Sequence, residues 1–188
     1  MSPYLTKSST LTKKALLLSL FLIVGWVFGR REGYELYLHP EPLYEEIPSE
    51  LEPLVNLKTV ESSRPDIWPV VGIITSDYGW RRFRRGREFH SGVDIGAPYG
   101  SKVVATAEGY VLFAGWVRGY GNTVVLYHGY GYVTLYAHMS SVAVKRGERV
   151  SKNRVIGYVG SSGRTTGPHL HYEVIKYGIR QNPILYLP

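Results

Sequence analysis

From residue 68 onward, apolar and β-branched positions come in short runs, each closed by glycine or a polar turn. The runs occupy residues 71–75, 102–106, 109–114, 122–127, 132–136, 154–159 and 169–175. Recurring at intervals of roughly ten residues with turn signals between them, they predict an all-β domain, an antiparallel sandwich or barrel-like sheet. No long helical period competes with this pattern in the same region. Residues 144–157, with Gly147 and Gly157 at the corners, read as a strand, turn, strand unit capping one side of the sheet. The last run carries His169 and His171 two positions apart, so a strand there presents both imidazoles on one face.

The first third of the chain is patterned differently. Residues 15–29 form an uncharged apolar run, preceded by Lys7, Lys13 and Lys14 and closed by Arg30 and Arg31. The run is shorter than the roughly twenty residues that span a bilayer, and its length also suits the core of a signal peptide. No small-x-small cleavage site follows it. The reading adopted is an uncleaved signal anchor: one N-terminal membrane helix over 15–29, with Trp26 at headgroup level and the flanking cations snorkelling. Residues 1–14 are then a cytoplasmic tail. Residues 30–65 contain Pro40, Pro42, Pro48, Pro53 and Pro65 among many glutamates, which argues for an extended acidic spacer. His39 within it is assigned no role. The folded domain is placed at 66–188.

Composition sharpens this picture in two places. The chain has no cysteine, which excludes disulfides, thiolate zinc sites, a cysteine nucleophile and a lipid-modified N-terminal cysteine. The formal charge of +7 is unevenly distributed: residues 32–63 carry eight glutamates against Lys58, whereas residues 64–188 carry sixteen basic and seven acidic side chains. A basic domain attracts anionic polymers, nucleic acid or cell wall, although a basic surface alone is most simply a solvated face.

Five residues can carry metal chemistry. His90 and Asp94 lie four apart among Ser91, Gly92, Gly96 and Ala97, small residues that leave room for a ligand, and they share one face if the segment is extended. Taken alone, this pair is equally a surface ion pair. His169 and His171 follow a tight polar loop at 163–167, a setting more common for a site than for a packed core. His138 ends an apolar run. His128 reads first as a hairpin-entry residue with a hydrogen-bonding task. Catalytic zinc takes three protein ligands and keeps an open position for water, and it also needs a group to accept the water proton and one to steady the developing oxyanion. His90, Asp94 and one of His169 or His171 suit the ligand set, with His138 and the other member of the pair left for proton work.

Several stretches in order resemble the lysostaphin-type (LytM-like) zinc endopeptidases: ITSDYGWR at 74–81, HSGVDIGAPYGSKVVA at 90–105, GYGNTVVLYHG at 119–129, TLYAH at 134–138 and GSSGRTTGPHLHYEV at 160–174. The resemblance implies a compact antiparallel sheet domain of the duplicated hybrid motif architecture, with zinc in an open groove. It assigns zinc to His90, Asp94 and His171, and it makes His138 and His169 the general base and the transition-state stabiliser. The implied reaction is hydrolysis of peptide bonds in peptidoglycan cross-links or stem peptides. Such a substrate places the domain outside the bacterial cytoplasmic membrane, in the periplasm or cell-wall space, which agrees with an N-in anchor.

Many relatives carry an arginine-x-His-Pro turn before the first ligand. Here residues 80–89 are arginine-rich instead. Arg82, Arg84 and Arg85 are either a solvated basic loop or a contact for carboxylates of the peptide stem or an anionic wall polymer. A catalytically silent scaffold or activator of another cell-wall hydrolase is the alternative function; silent relatives typically lack a ligand, and here all five positions are filled. The motif set and the anchor speak against a nucleic-acid partner. A carbohydrate-uptake or biotin-carrier domain lacks support, since no Met-Lys attachment motif occurs.

Overall fold

The computed structural model describes residues 60–83 and 86–188. The tail, the expected membrane helix at 15–29, most of the spacer and His39 lie outside the described residues. Among the described residues, no helix is long and apolar enough to cross a membrane.

A single helical turn, α1 (Val60–Ser63), leads into strands β1 (Ile73–Ser76), β2 (Gly79–Phe83), β3 (Gly86–His90), β4 (Val93–Gly96), β5 (Lys102–Val104) and β6 (Gly109–Val117). Then come β7 (Gly121–Gly129), β8 (Tyr132–Val142), β9 (Arg149–Val150), β10 (Val155–Val159), β11 (His169–Lys176) and β12 (Ile179–Gln181), with a 3-10 turn at Pro183–Leu185. The main sheet runs β1-β4-β11-β8-β7-β6-β9, with β10 pairing both β5 and β8, and β12 pairing β11. Its pairings are antiparallel, as the periodicity of the sequence predicts. Chain-distant strands β4, β11 and β8 are neighbours at its centre.

Alternation along these strands sorts core from site. On β11, Leu170, Tyr172 and Val174 point into the main core with Val93 and Ile95 of β4. The intervening positions His169, His171 and Glu173 therefore share the opposite face, as does Asp94 on β4. His171 lies directly opposite Asp94 in the β11–β4 register, and opposite Ala137 on β8. His128 is a structural residue: its Nδ1 bonds the Glu108 carbonyl (3.0 Å) and its Nε2 bonds Thr134 Oγ1 (2.7 Å), so neither nitrogen is left for a ligand.

Two expectations need correction. The His90–Asp94 segment is not one extended strand. An unbroken strand would set i and i+4 about 13 Å apart, whereas His90 ends β3, Asp94 lies on β4, and the chain bends at Ser91-Gly92 to bring the side chains to 3.1 Å. The described part of the arginine-rich stretch, with Arg82, is strand. β2 and β3 pair as a separate two-stranded sheet with Gly79 opposite His90, because Trp80 and Phe89 supply β-forming side chains among the arginines.

Gly92 makes the bend feasible. A Cβ there would stand 2.2 Å from the Tyr172 carbonyl oxygen and 2.9 Å from Glu173 Cγ. Neither backbone nor a buried side chain can retreat from such an overlap, so Gly92→Ala is expected to destabilise the domain by about 1–3 kcal/mol, read as a lower urea midpoint.

Candidate metal centre

The sheet brings His90 from the hairpin, Asp94 from β4 and His171 from β11 into one cluster. Tautomers decide what that cluster can bind. His90 Nδ1–H donates to the Asp77 carbonyl at 2.7 Å, which leaves Nε2 bare. His171 Nε2–H donates to Glu173 Oε1 at 3.0 Å, which leaves Nδ1 bare. The two bare nitrogens are 3.1 Å apart, and Asp94 Oδ1 lies 3.1 Å from the first and 2.9 Å from the second. Three lone-pair atoms in one small triangle repel one another unless a positive charge sits among them. Tetrahedral zinc, with bonds of about 2.0–2.1 Å, wants its ligand atoms about 3.3 Å apart, so the donor set fits that ion with a shift of a few tenths of an ångström.

The protonation equilibria of the chain by itself point the same way. Burial pushes the Asp94 carboxyl up, but the His171 and His90 rings beside it outweigh that and hold the group well below the usual carboxylate range. Burial pulls His171 down, yet its bonds to Asp94 and Glu173 prevail and raise it to about 9. Both shifts favour positive charge between Asp94 and His171. Arg81 Nη1 stands 3.7 Å from Asp94 Oδ2, which turns the second carboxylate oxygen away from the nitrogens and favours one-oxygen ligation.

Behind the ligands lies a buried anchor that the sequence analysis missed. Glu173 is fully buried. Its Oε1 accepts from Ser91 Oγ (2.6 Å), Tyr120 OH (2.9 Å) and His171, and its Oε2 accepts from Arg180 Nε (2.9 Å). Burial alone would raise its pKa, but the His171 bond and charge, with Arg180 behind them, lower it to about 2. Period two from His171 was a signal that could have found Glu173. Tyr120, Ser91 and Arg180 come from other parts of the chain and left no local sign.

His138 and His169 stand at the rim. His138 is the point where β8 leaves β11 and joins β10, and its φ of 62° is left-handed, a costly state for a residue with a Cβ. Two bonds hold it there: its N–H to the Tyr120 carbonyl (2.8 Å) and its Nδ1–H to the Ser162 carbonyl (2.8 Å). The result is an Nε2 left bare. Burial first, and then the neighbouring His171 charge, lower its pKa to about 4 against the pull of the Ser162 bond, so the ring is neutral near pH 7. His169 Nδ1–H donates to the Gly167 carbonyl at 2.8 Å, and its Nε2 lies 3.7 Å from Asp94 Oδ1. The two rim rings are 4.9 Å apart, centre to centre. Arg82 is exposed on β2; Arg84 and Arg85 lie outside the described residues.

The model of peptidase family M23 matches residues 88–183. Over 113 residues the chain is 44% identical to the DD-carboxypeptidase/endopeptidase Mpg of Neisseria meningitidis, covering 59% of this chain and 26% of the relative. It is 34% identical over 122 residues to the murein hydrolase activator NlpD of Escherichia coli, covering 64% of this chain and 31% of that one. A zinc-containing peptidase from Vibrio cholerae superposes with a TM-score of 0.59 at 33% identity, over 62% of this chain and 38% of the other. The chain spans about a quarter to a third of the length of these curated relatives.

Glu173 gives two tests. Glu173→Gln removes the charge behind His171 and is expected to weaken zinc binding about 10–100-fold, measured by competition with a chelator. The depressed carboxylate contributes stability that is fully present above its unfolded value of 4.5 and lost as pH falls toward about 2. Without metal, that contribution is about 3 kcal/mol, so the stability gap between wild type and Glu173→Gln should shrink across pH 4.5 to 2 in urea titrations.

Proposed function

Because the chain belongs to peptidase family M23, whose lysostaphin-type members its motifs resemble, we propose that it is a membrane-anchored zinc endopeptidase that hydrolyses peptide bonds in peptidoglycan cross-links or stem peptides. The carrying observation is the triangle of bare donors from His90, Asp94 and His171, about 3 Å on each edge, with two further bare imidazoles beside it. In this reading those three residues hold zinc. The ion's contribution is Lewis acidity, which acidifies water and polarises a carbonyl.

The chain's own groups do the rest. Glu173 and the Asp77 carbonyl keep His171 and His90 in the tautomers that face the metal. His138 and His169 divide the proton work: one Nε2 accepts the proton released as water adds to the scissile carbonyl carbon. The other ring stands beside the developing oxyanion as its electrostatic stabiliser. As the carbon–nitrogen bond breaks, the accepted proton passes to the leaving amine. Arg82, Arg84 and Arg85 are proposed as contacts for substrate carboxylates. Residues 15–29 anchor the chain in the cytoplasmic membrane, residues 30–65 act as a spacer, and the domain at 66–188 works on the outer side.

A second reading, a catalytically silent scaffold or activator of another hydrolase, draws on the match to NlpD. Against it stands the complete set of five side chains gathered at one place.

The readings separate in a digestion experiment. Zinc-loaded full-length protein is expected to release soluble fragments from purified peptidoglycan, with the cleaved bond named by mass analysis. His171→Ala should lose zinc and activity together. His138→Ala should keep zinc and lose about 10²–10⁴-fold in rate. If the zinc-loaded wild type solubilises no wall material and cuts no cross-linked muropeptide, the activator reading replaces the enzyme.

A further inference from the structure

The β2–β3 hairpin has two faces of different chemistry. Strand alternation puts Gly79, Arg81, Glu88 and His90 on one side, where His90 meets Asp94 and His171 and Arg81 approaches Asp94. Trp80, Arg82, Arg87 and Phe89 occupy the other side. Trp80 is 66% exposed, and its ring stands edge-on against Phe89 at 5.5 Å. Phe89 in turn meets Tyr78 edge-on at 5.2 Å, and Tyr78 OH bonds the Arg180 carbonyl, which ties this face to the domain. Arg87 lies 5.6 Å from the centre of the Trp80 ring.

Folding does not account for this outer face. Arg82 and Arg87 are exposed and directly opposite each other across the strands. Like charges in that relation destabilise a pair of strands, and a two-stranded sheet has little stability to spare. A large aromatic left in water beside two arginines combines the residue types that carry binding energy at interfaces. The part of the chain from 64 to 188 is also strongly basic, so the partner that fits is anionic.

We infer that the outer face of the β2–β3 hairpin, formed by Trp80, Arg82, Arg87 and Phe89, is a docking surface for the peptidoglycan strand, separate from the metal centre. This rests on the function proposed above. The apolar face of a sugar ring lies on Trp80, and carboxylates of the strand pair with the guanidinium groups of Arg82 and Arg87. Because β3 runs directly into His90, a strand held on this face brings its peptides to the metal centre on the other.

The test separates holding from cutting. Detergent-solubilised full-length protein, stripped of metal with a chelator so that nothing is cleaved, is pelleted with purified sacculi. Trp80→Ala and the double variant Arg82→Gln/Arg87→Gln should each bind about tenfold more weakly. The double variant should also lose most of the salt dependence of binding. Sacculi stripped of phosphate-containing polymers by acid should hold the wild type as well as untreated ones do. Zinc affinity, measured in parallel, reports hairpin integrity because His90 closes β3, and Trp80→Phe serves where Trp80→Ala loses zinc: its retained aromatic face should restore binding. Variants that keep zinc affinity and pellet like the wild type overturn the inference. So does loss of wild-type binding on phosphate-free sacculi. If the hairpin variants lose sacculus binding while the zinc-loaded wild type cuts nothing, the enzyme reading falls and the docking surface stands.

Discussion

Three lone-pair atoms held about 3 Å apart inside a folded chain constitute the constraint on which the rest depends. Such a cluster is repulsive by itself, and its members are mostly shielded from water. The fold holds it by drawing one ligand from the end of a hairpin, one from β4 and one from β11, and by fixing each side chain from behind. The bend at Ser91-Gly92, the direct β4–β11 register and the buried Glu173 each remove a freedom that would let the donors move apart. A cation placed among the donors would relieve that repulsion.

The same logic organises the histidines. Each of the four site imidazoles gives one nitrogen to a fixed acceptor (Asp77, Ser162 or Gly167 carbonyl, or the Glu173 carboxylate) and leaves the other bare. In the proposed reading, what separates ligand from proton carrier is position relative to Asp94. His138 is the most constrained: a left-handed backbone at a strand junction, held by the Tyr120 and Ser162 carbonyls, aims its ring where regular pleating would not. Glu173 links this site to the scaffold, since Tyr120 both bonds its carboxylate and stacks against His138.

Legibility varied with how local each cause was. Seven strands were readable because alternation and turn residues act within a few positions, and β11 kept its one-face pair of histidines as pattern alone predicts. Strands β2 and β3 escaped because their arginines mask a β pattern that Trp80 and Phe89 carry. β8 ran past its apolar run to Val142 because its end pairs with β10, a partner from a distant part of the chain. Among site residues, Glu173 could have been found by counting two positions on from His171. Arg180, Tyr120 and Ser91 could not, since only β12 pairing with β11, the turn before β7 and the bend between β3 and β4 bring them to that carboxylate.

By itself the sequence determined the donor types, their small-residue settings and the strand periodicity, because these depend on side-chain chemistry and on neighbours one to four residues away. It could not decide from local chemistry which of His169 and His171 stands among the ligands, and the family resemblance had to choose. What tertiary structure adds is placement: in the β4–β11 register His171 faces Asp94, and its far nitrogen meets Glu173, whereas His169 sits one pleat away with its Nε2 at 3.7 Å from the carboxylate. Distances of that kind are set by strand register and by a bend between two short strands. Both are long-range consequences of packing that no stretch of the sequence contains alone.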